Sequence, residues 1–141
     1  MERIENLLLD TNVISELVRP RPDANVLRFL RRAIDPWLST ITLHELVYGA
    51  ERSASAFQKA KLLAWIAEIG IAFSGRFVIA DNEIAERSGL LRALAATQGR
   101  PADPLDALIA ASAQVSGLTL ATRNTKDFEA FGIAVVNPWE I

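Results

Sequence analysis

Three carboxylates stand alone in three of the most apolar stretches of the chain. Asp10 is the only formal charge from Leu7 to Ser15, Glu45 the only carboxylate or cation from Ser39 to Ala50, and Asp106 the only charge from Leu105 to Leu118. Ionised carboxylates are almost never fully buried without a partner. One in each of three core-forming segments implies a shared partner, and the simplest is a divalent cation. Two carboxylates about 4 Å apart repel by roughly 4 kcal/mol at an effective dielectric near 20. A helix N-terminus offsets only about 0.3–1 kcal/mol of that. Hard, oxygen-seeking Mg²⁺ or Mn²⁺ suits an all-carboxylate set. Such an ion keeps bound waters, one of which can attack a phosphodiester while the metal neutralises charge on the transferring group. Metal-dependent phosphodiester hydrolysis is the chemistry these residue types suit.

The elements that must position them follow from local pattern. Leu7-Leu8-Leu9 is apolar on both faces, as a strand inside a parallel sheet is, so Asp10 falls at the carboxyl end, where such sheets bind ligands. Thr11 or Asn12 can cap a short helix to Val18, which Pro20 and Pro22 stop, and Asp23 caps a helix to about Ile34. Trp37-Leu38-Ser39 reads as a strand and Thr42-Leu43-His44-Glu45 as a capping box, placing Glu45 in a first helical turn; Gly49 inside that helix suggests close packing against a neighbour. A helix from about Ala54 to Ile69, with the stripe Leu62, Trp65, Ile66 and Ile69, completes a helical hairpin whose Phe57 and Trp65 read as core. Ile71-Ala72-Phe73 reads as extended and Arg76 to Ala80 as a strand. Asp81 then caps a helix through Thr97 with Ile84, Ser88, Leu91 and Leu94 inward.

Asp103-Pro104 starts the next helix, an acid at the cap and proline at the first position, so Asp106 falls in its first turn, and Gly117 ends it. Thr119 to Thr122 and Ile133 to Val136 are the last strands, separated by a polar segment from Arg123 with a short helical turn through Phe131. This alternation predicts an α/β fold: a parallel sheet of four or five strands with helices on both faces and a helical hairpin. Right-handed crossovers then bring the three acids toward one edge.

A chain of 141 residues, 50% hydrophobic and 23% charged, is expected to form one domain over residues 1–141. Net charge is −2, so phosphate contacts must come from local basic residues. Arg19, Arg21, Arg28, Arg31, Arg32, Arg100 and Arg123 are the candidates, with Arg123 foremost for its place at the rim. Cysteine is absent, which excludes disulfides, thiolate metal sites and a cysteine nucleophile and fits a cytoplasmic protein. Neither a leader peptide nor a membrane span is expected. His44 points about 100° from Glu45 along a helix. It also lacks the second histidine of the zinc metalloprotease motif.

Four blocks carry a resemblance: Leu8-Leu9-Asp10-Thr11-Asn12-Val13-Ile14-Ser15-Glu16-Leu17, Ile41-Thr42-Leu43-His44-Glu45-Leu46-Val47-Tyr48-Gly49, Pro104-Leu105-Asp106 through Ala113, and Leu120-Ala121-Thr122-Arg123-Asn124-Thr125-Lys126-Asp127-Phe128. In order and over essentially the whole chain, they resemble the PIN domain, specifically the VapC and FitB type of toxin ribonuclease. The resemblance implies a Mg²⁺- or Mn²⁺-dependent endoribonuclease, the toxin of a type II toxin–antitoxin pair. A VapB/FitA-like antitoxin would occupy its active site and carry it to DNA only indirectly, and relatives commonly form homodimers. Matched position by position, Asp10, Glu45 and Asp106 are the family's acidic metal-binding residues. Where many relatives place a fourth acid this chain has Asn124, with Asp127 three residues on; Asn124 can orient a water or bind metal through its amide oxygen but cannot act as a base. Thr11, Thr122 and Arg123 are expected at the rim, positioning acids or contacting RNA. Two other readings are a catalytically weak PIN-fold binding module and a haloacid-dehalogenase-like phosphatase. The second breaks at Asn12, because that chemistry needs an acid there.

Overall fold

Five short parallel strands form the spine of the structure, a computed structural model that describes residues 2–141. They are β1 (Leu7–Leu9), β2 (Leu38–Ser39), β3 (Phe77–Val78), β4 (Thr119–Ala121) and β5 (Val135–Val136). β1, β4 and β5 form one sheet, with Leu8 opposite Leu120 and Leu120 opposite Val135; β2 and β3 form another. The two join at a parallel bridge between Leu8 and Trp37, where the Trp37 N–H donates to Leu7 O and the Leu9 N–H to Trp37 O, both at 2.9 Å. The spatial order is therefore β3-β2-β1-β4-β5. After β3 the chain returns to the far side of β1, and such a reversal opens a crevice at the carboxyl ends of the strands.

Among the described residues six α-helices cover the two faces: α1 (Thr11–Ser15), α2 (Ala24–Arg32), α3 (Thr40–Glu51), α4 (Ala56–Ala72), α5 (Asn82–Thr97) and α6 (Pro104–Ser116). Side chains alternate across a strand, so Leu8 enters one core with Ile84, Leu91, Ala107, Ile109, Ala110 and Leu120. Leu7 and Leu9 enter the other with Val13, Val26, Phe29, Leu38, Leu46 and Ile69. Local capping sets the helix starts. Asp23, Asp81 and Asp103 each accept backbone N–H groups at the N-termini of α2, α5 and α6, and Gly117 ends α6 in the left-handed conformation at φ 68°.

Several local expectations are corrected. The cap of α3 is Ser39, whose Oγ accepts the Ile41 N–H at 3.1 Å. The helix thus begins as β2 ends, and Glu45 lies in its second turn rather than its first. Residues 71 and 72 remain helical and Phe73 caps α4. In α5 the buried stripe ends on Ala95, leaving Leu94 47% exposed, and Phe57 lies outside the core at 74% exposure. Gly49 is exposed with nothing within 4 Å of where a Cβ would stand, so it marks no close contact.

Leu8 is completely buried at the centre of the sheet. Leu8→Ala is expected to destabilise the protein by about 2–5 kcal/mol, read as a lower urea midpoint at unchanged slope.

Candidate active site

Asp10 follows the last residue of β1 and caps α1: its Oδ1 accepts the Thr11 N–H at 2.8 Å. Its Oδ2 accepts the Thr122 hydroxyl at 2.8 Å and the Asn12 amide at 3.3 Å. Thr122 is fully buried at the end of β4, and the register of β1 against β4 sets Leu9 beside Ala121, so the next residue of each strand meets at the rim. The Thr122 hydroxyl oxygen also accepts the Asn124 N–H at 3.1 Å. Asp10 itself is only 6% exposed. Its carboxyl pKa is raised, first by burial; hydrogen bonds from Thr122 and Thr11 oppose that rise, and the charges of Glu45 and Asp127 add to it.

Glu45 reaches the same place from α3. The Thr11 hydroxyl donates to its Oε1 at 2.6 Å and lies 3.5 Å from the Thr42 hydroxyl oxygen. Thr11 thereby ties two carboxylates together, Asp10 through its backbone and Glu45 through its side chain. Asp106 arrives in the first turn of α6, half-buried, with its N–H 3.3 Å from Asp103 Oδ1. Its carboxyl pKa is raised to about 7, mainly by burial, then by the charges of Asp103, Asp10, Asp127 and Glu45. A cavity of about 270 Å³ opens beside it, bordered by Arg100, Asp103, Lys126 and Asp127 among others.

The acids expected to converge therefore act on one another. Of the two candidates for the fourth position, Asp127 is the one whose charge reaches both Asp10 and Asp106. Asn124 is exposed and contributes backbone groups: its N–H to Thr122 and its carbonyl to the Asp127 N–H at 3.0 Å. Arg123 stands outside this cluster, its N–H on Asn12 Oδ1 at 3.2 Å and its guanidinium over the Trp139 ring. His44 is exposed on the outer side of α3 with Val47 and Tyr48. Sequence reasoning passed over Asn12, Thr42 and Asp103 as site residues; Asn12 carried a signal in its place two residues after Asp10, whereas Asp103 looked like a cap, which it also is.

The donor set suits a hard cation. Among the described residues no lysine or arginine forms a salt bridge with Asp10, Glu45, Asp106 or Asp127. Arg100, which borders the same cavity as Asp106, is engaged with Glu129 at 3.1 Å. No three of the described acids or histidines stand at chelating distance as they are arranged. The match is thus one of ligand chemistry and uncompensated charge.

The sequence matches the PIN domain family over residues 7–133. It is 39% identical over 136 residues to toxin FitB of Neisseria gonorrhoeae, covering 94% of this chain and 98% of that one. It is 37% identical over 141 residues to a VapC ribonuclease of Sinorhizobium fredii, covering 95% and 98%. Among solved structures, FitAB bound to a DNA fragment superposes with a TM-score of 0.88 at 37% identity over 96% of both chains.

The raised pKa of Asp106 has a signed consequence for stability. The folded state holds the proton to about pH 7, whereas the unfolded carboxyl releases it near 3.8. The resulting stability is fully present below 3.8 and is lost as pH rises through about 7. In chelated buffer Asp106→Asn should melt above the wild type at pH 8, and the gap should shrink toward pH 4, as calorimetry would read.

Proposed function

The chain belongs to the PIN domain family, on its branch of VapC and FitB toxin ribonucleases, and from that premise we propose that it is an endoribonuclease dependent on Mg²⁺ or Mn²⁺. What supports the metal dependence is that acids from β1, α3 and α6 act on one another with no salt bridge to a lysine or arginine among the described residues; burial first, and then the neighbouring charges, raise the Asp106 carboxyl to about 7. Asp10, Glu45 and Asp106 would hold the cation. When bound, it supplies Lewis acidity toward a phosphoryl oxygen and a water of lowered pKa.

The chain's own residues do the rest. The Thr11 N–H and Thr122 hydroxyl fix both oxygens of Asp10, and the Thr11 hydroxyl fixes one oxygen of Glu45. Pre-set ligands of this kind lower the reorganisation needed at the moment of reaction. Asp127, exposed at the rim, is the carboxylate we assign to accept the proton of the attacking water. Asn124 cannot accept one, and its amide is assigned to orient that water or an RNA oxygen. Lys126 and Arg100, on the same cavity as Asp106, favour the approach of RNA phosphates.

Because the matched FitAB structure is bound to DNA, we assign this chain a VapB/FitA-like antitoxin as partner, with DNA contacted through that partner. The exposed apolar side chains of the α3–α4 hairpin support a protein interface, to the antitoxin or to a second copy of the chain. Phe57 is 74%, Ile71 78%, Tyr48 56% and Val47 41% exposed.

Purified protein should cleave RNA with Mg²⁺ or Mn²⁺, stop on addition of EDTA and resume with excess Mn²⁺. Asp10→Asn and Asp106→Asn should each lower the rate about a hundredfold or more while keeping the folded circular-dichroism spectrum. Cleavage that survives EDTA would sink the metal assignment.

A further inference from the structure

A second cavity, of about 280 Å³, borders the acidic cluster and is lined by Asn12, Ser15, Glu16, Arg19, Arg123 and Trp139. Asn12 belongs to both: its amide nitrogen donates to Asp10 Oδ2 at 3.3 Å while its Oδ1 accepts the Arg123 N–H at 3.2 Å. A group in this cavity therefore sits one side chain from the reacting centre.

Two features of the cavity have no use in hydrolysis. The first is a planar platform. The Arg123 guanidinium carbon lies 5.0 Å from the centroid of the Trp139 ring, and the indole packs half-buried against the core. The turn carrying the indole is pinned, with the Trp139 N–H on Asn137 Oδ1 at 3.0 Å and its carbonyl accepting from Asn25 at 2.9 Å. The second is a buried carboxylate away from the acidic cluster. Glu16 is 5% exposed; its Oε2 accepts the Asp23 N–H at 2.8 Å and its Oε1 lies 3.7 Å from Arg19. A carboxylate has about four acceptor positions, so these two contacts leave others for a ligand.

We propose that this cavity is a nucleobase subsite that takes the base beside the cleaved phosphate, with guanine preferred. The assignment rests on the RNA-hydrolysis reading above. Proteins read single-stranded RNA by splaying a base onto an aromatic ring or an arginine plane and bonding its Watson–Crick edge. Guanine offers that edge two adjacent donors, N1–H and N2–H₂, which match a carboxylate, and an acceptor, O6, which matches the neighbouring Arg19. Uracil offers one donor between two acceptors and leaves the Glu16 carboxylate poorly paired.

Two measurements test it. Wild-type protein acting on a random RNA pool should enrich guanine at one position next to the cut. Glu16→Gln, which keeps size and an oxygen for the Asp23 N–H, should lower that enrichment about tenfold. Trp139→Ala should raise KM more than it lowers kcat. An unchanged base preference at every position in Glu16→Gln would overturn the proposal. Separately, GMP titrated into metal-free protein should change tryptophan emission at lower concentration than UMP, and Trp139→Phe should remove that response. Equal responses to both nucleotides, or none, would overturn the subsite. So would a response to the copurified partner protein with none to nucleotide. A wild type that cleaves no RNA would fell the nuclease reading, while the nucleotide titration would still decide the subsite.

Discussion

The hydrogen bond from the Thr122 hydroxyl to Asp10 Oδ2 is the joint on which the site depends. It exists because β1 and β4 pair in parallel with Leu9 beside Ala121, so the residues just beyond them, Asp10 and the fully buried Thr122, meet away from solvent. A slip of one residue would exchange the faces of the strand. Leu8 would leave its core, and Asp10 would lose the donor that opposes its burial. The same register that fills two hydrophobic cores therefore also holds a carboxylate where it is costly to keep one.

Around that joint the structure gathers negative charge faster than it compensates it. Burial and neighbouring acids both raise the pKa of Asp10 and Asp106, while the main opposing contacts to Asp10 are neutral donors from Thr11 and Thr122. Perturbed carboxyls of this kind, clustered at the carboxyl edge of a parallel sheet, are a mark of sites kept for chemistry rather than for stability. A protein selected only to fold would place a lysine or an arginine in a salt bridge among them.

The same edge supports a division of labour. The acids converge from β1, α3 and α6, which are packed into the two cores. The basic and aromatic groups that could meet RNA stand on the segment after β4 and on the final turn, at Arg123, Lys126 and Trp139. Asn12 links the two halves with one hydrogen bond to each. Rigid elements carry the acids, and surface segments carry the basic and aromatic groups, where variation costs little stability.

Much of this was legible without coordinates wherever the deciding neighbours were close in the chain. A lone acid in an apolar run marked Asp10, Glu45 and Asp106. Acid-plus-proline and glycine signals placed the ends of α6, and a triple leucine announced a strand buried on both faces. Tertiary structure decided what depends on distant partners. Glu45 sits a turn deeper than its capping box implied, because β2 ends at Ser39 and leaves that serine to cap the helix. Asp127 rather than Asn124 acts on the other acids, because it carries the charge and sits in the turn that the Asn124 backbone closes between the Thr122 hydroxyl and the Asp127 N–H. Glu16 and Trp139, near opposite ends of the polypeptide, share a cavity that no periodicity could announce. Local pattern reports propensity and burial within a turn or a strand, whereas register and packing set which side chains meet, and those come from contacts the whole chain must make at once.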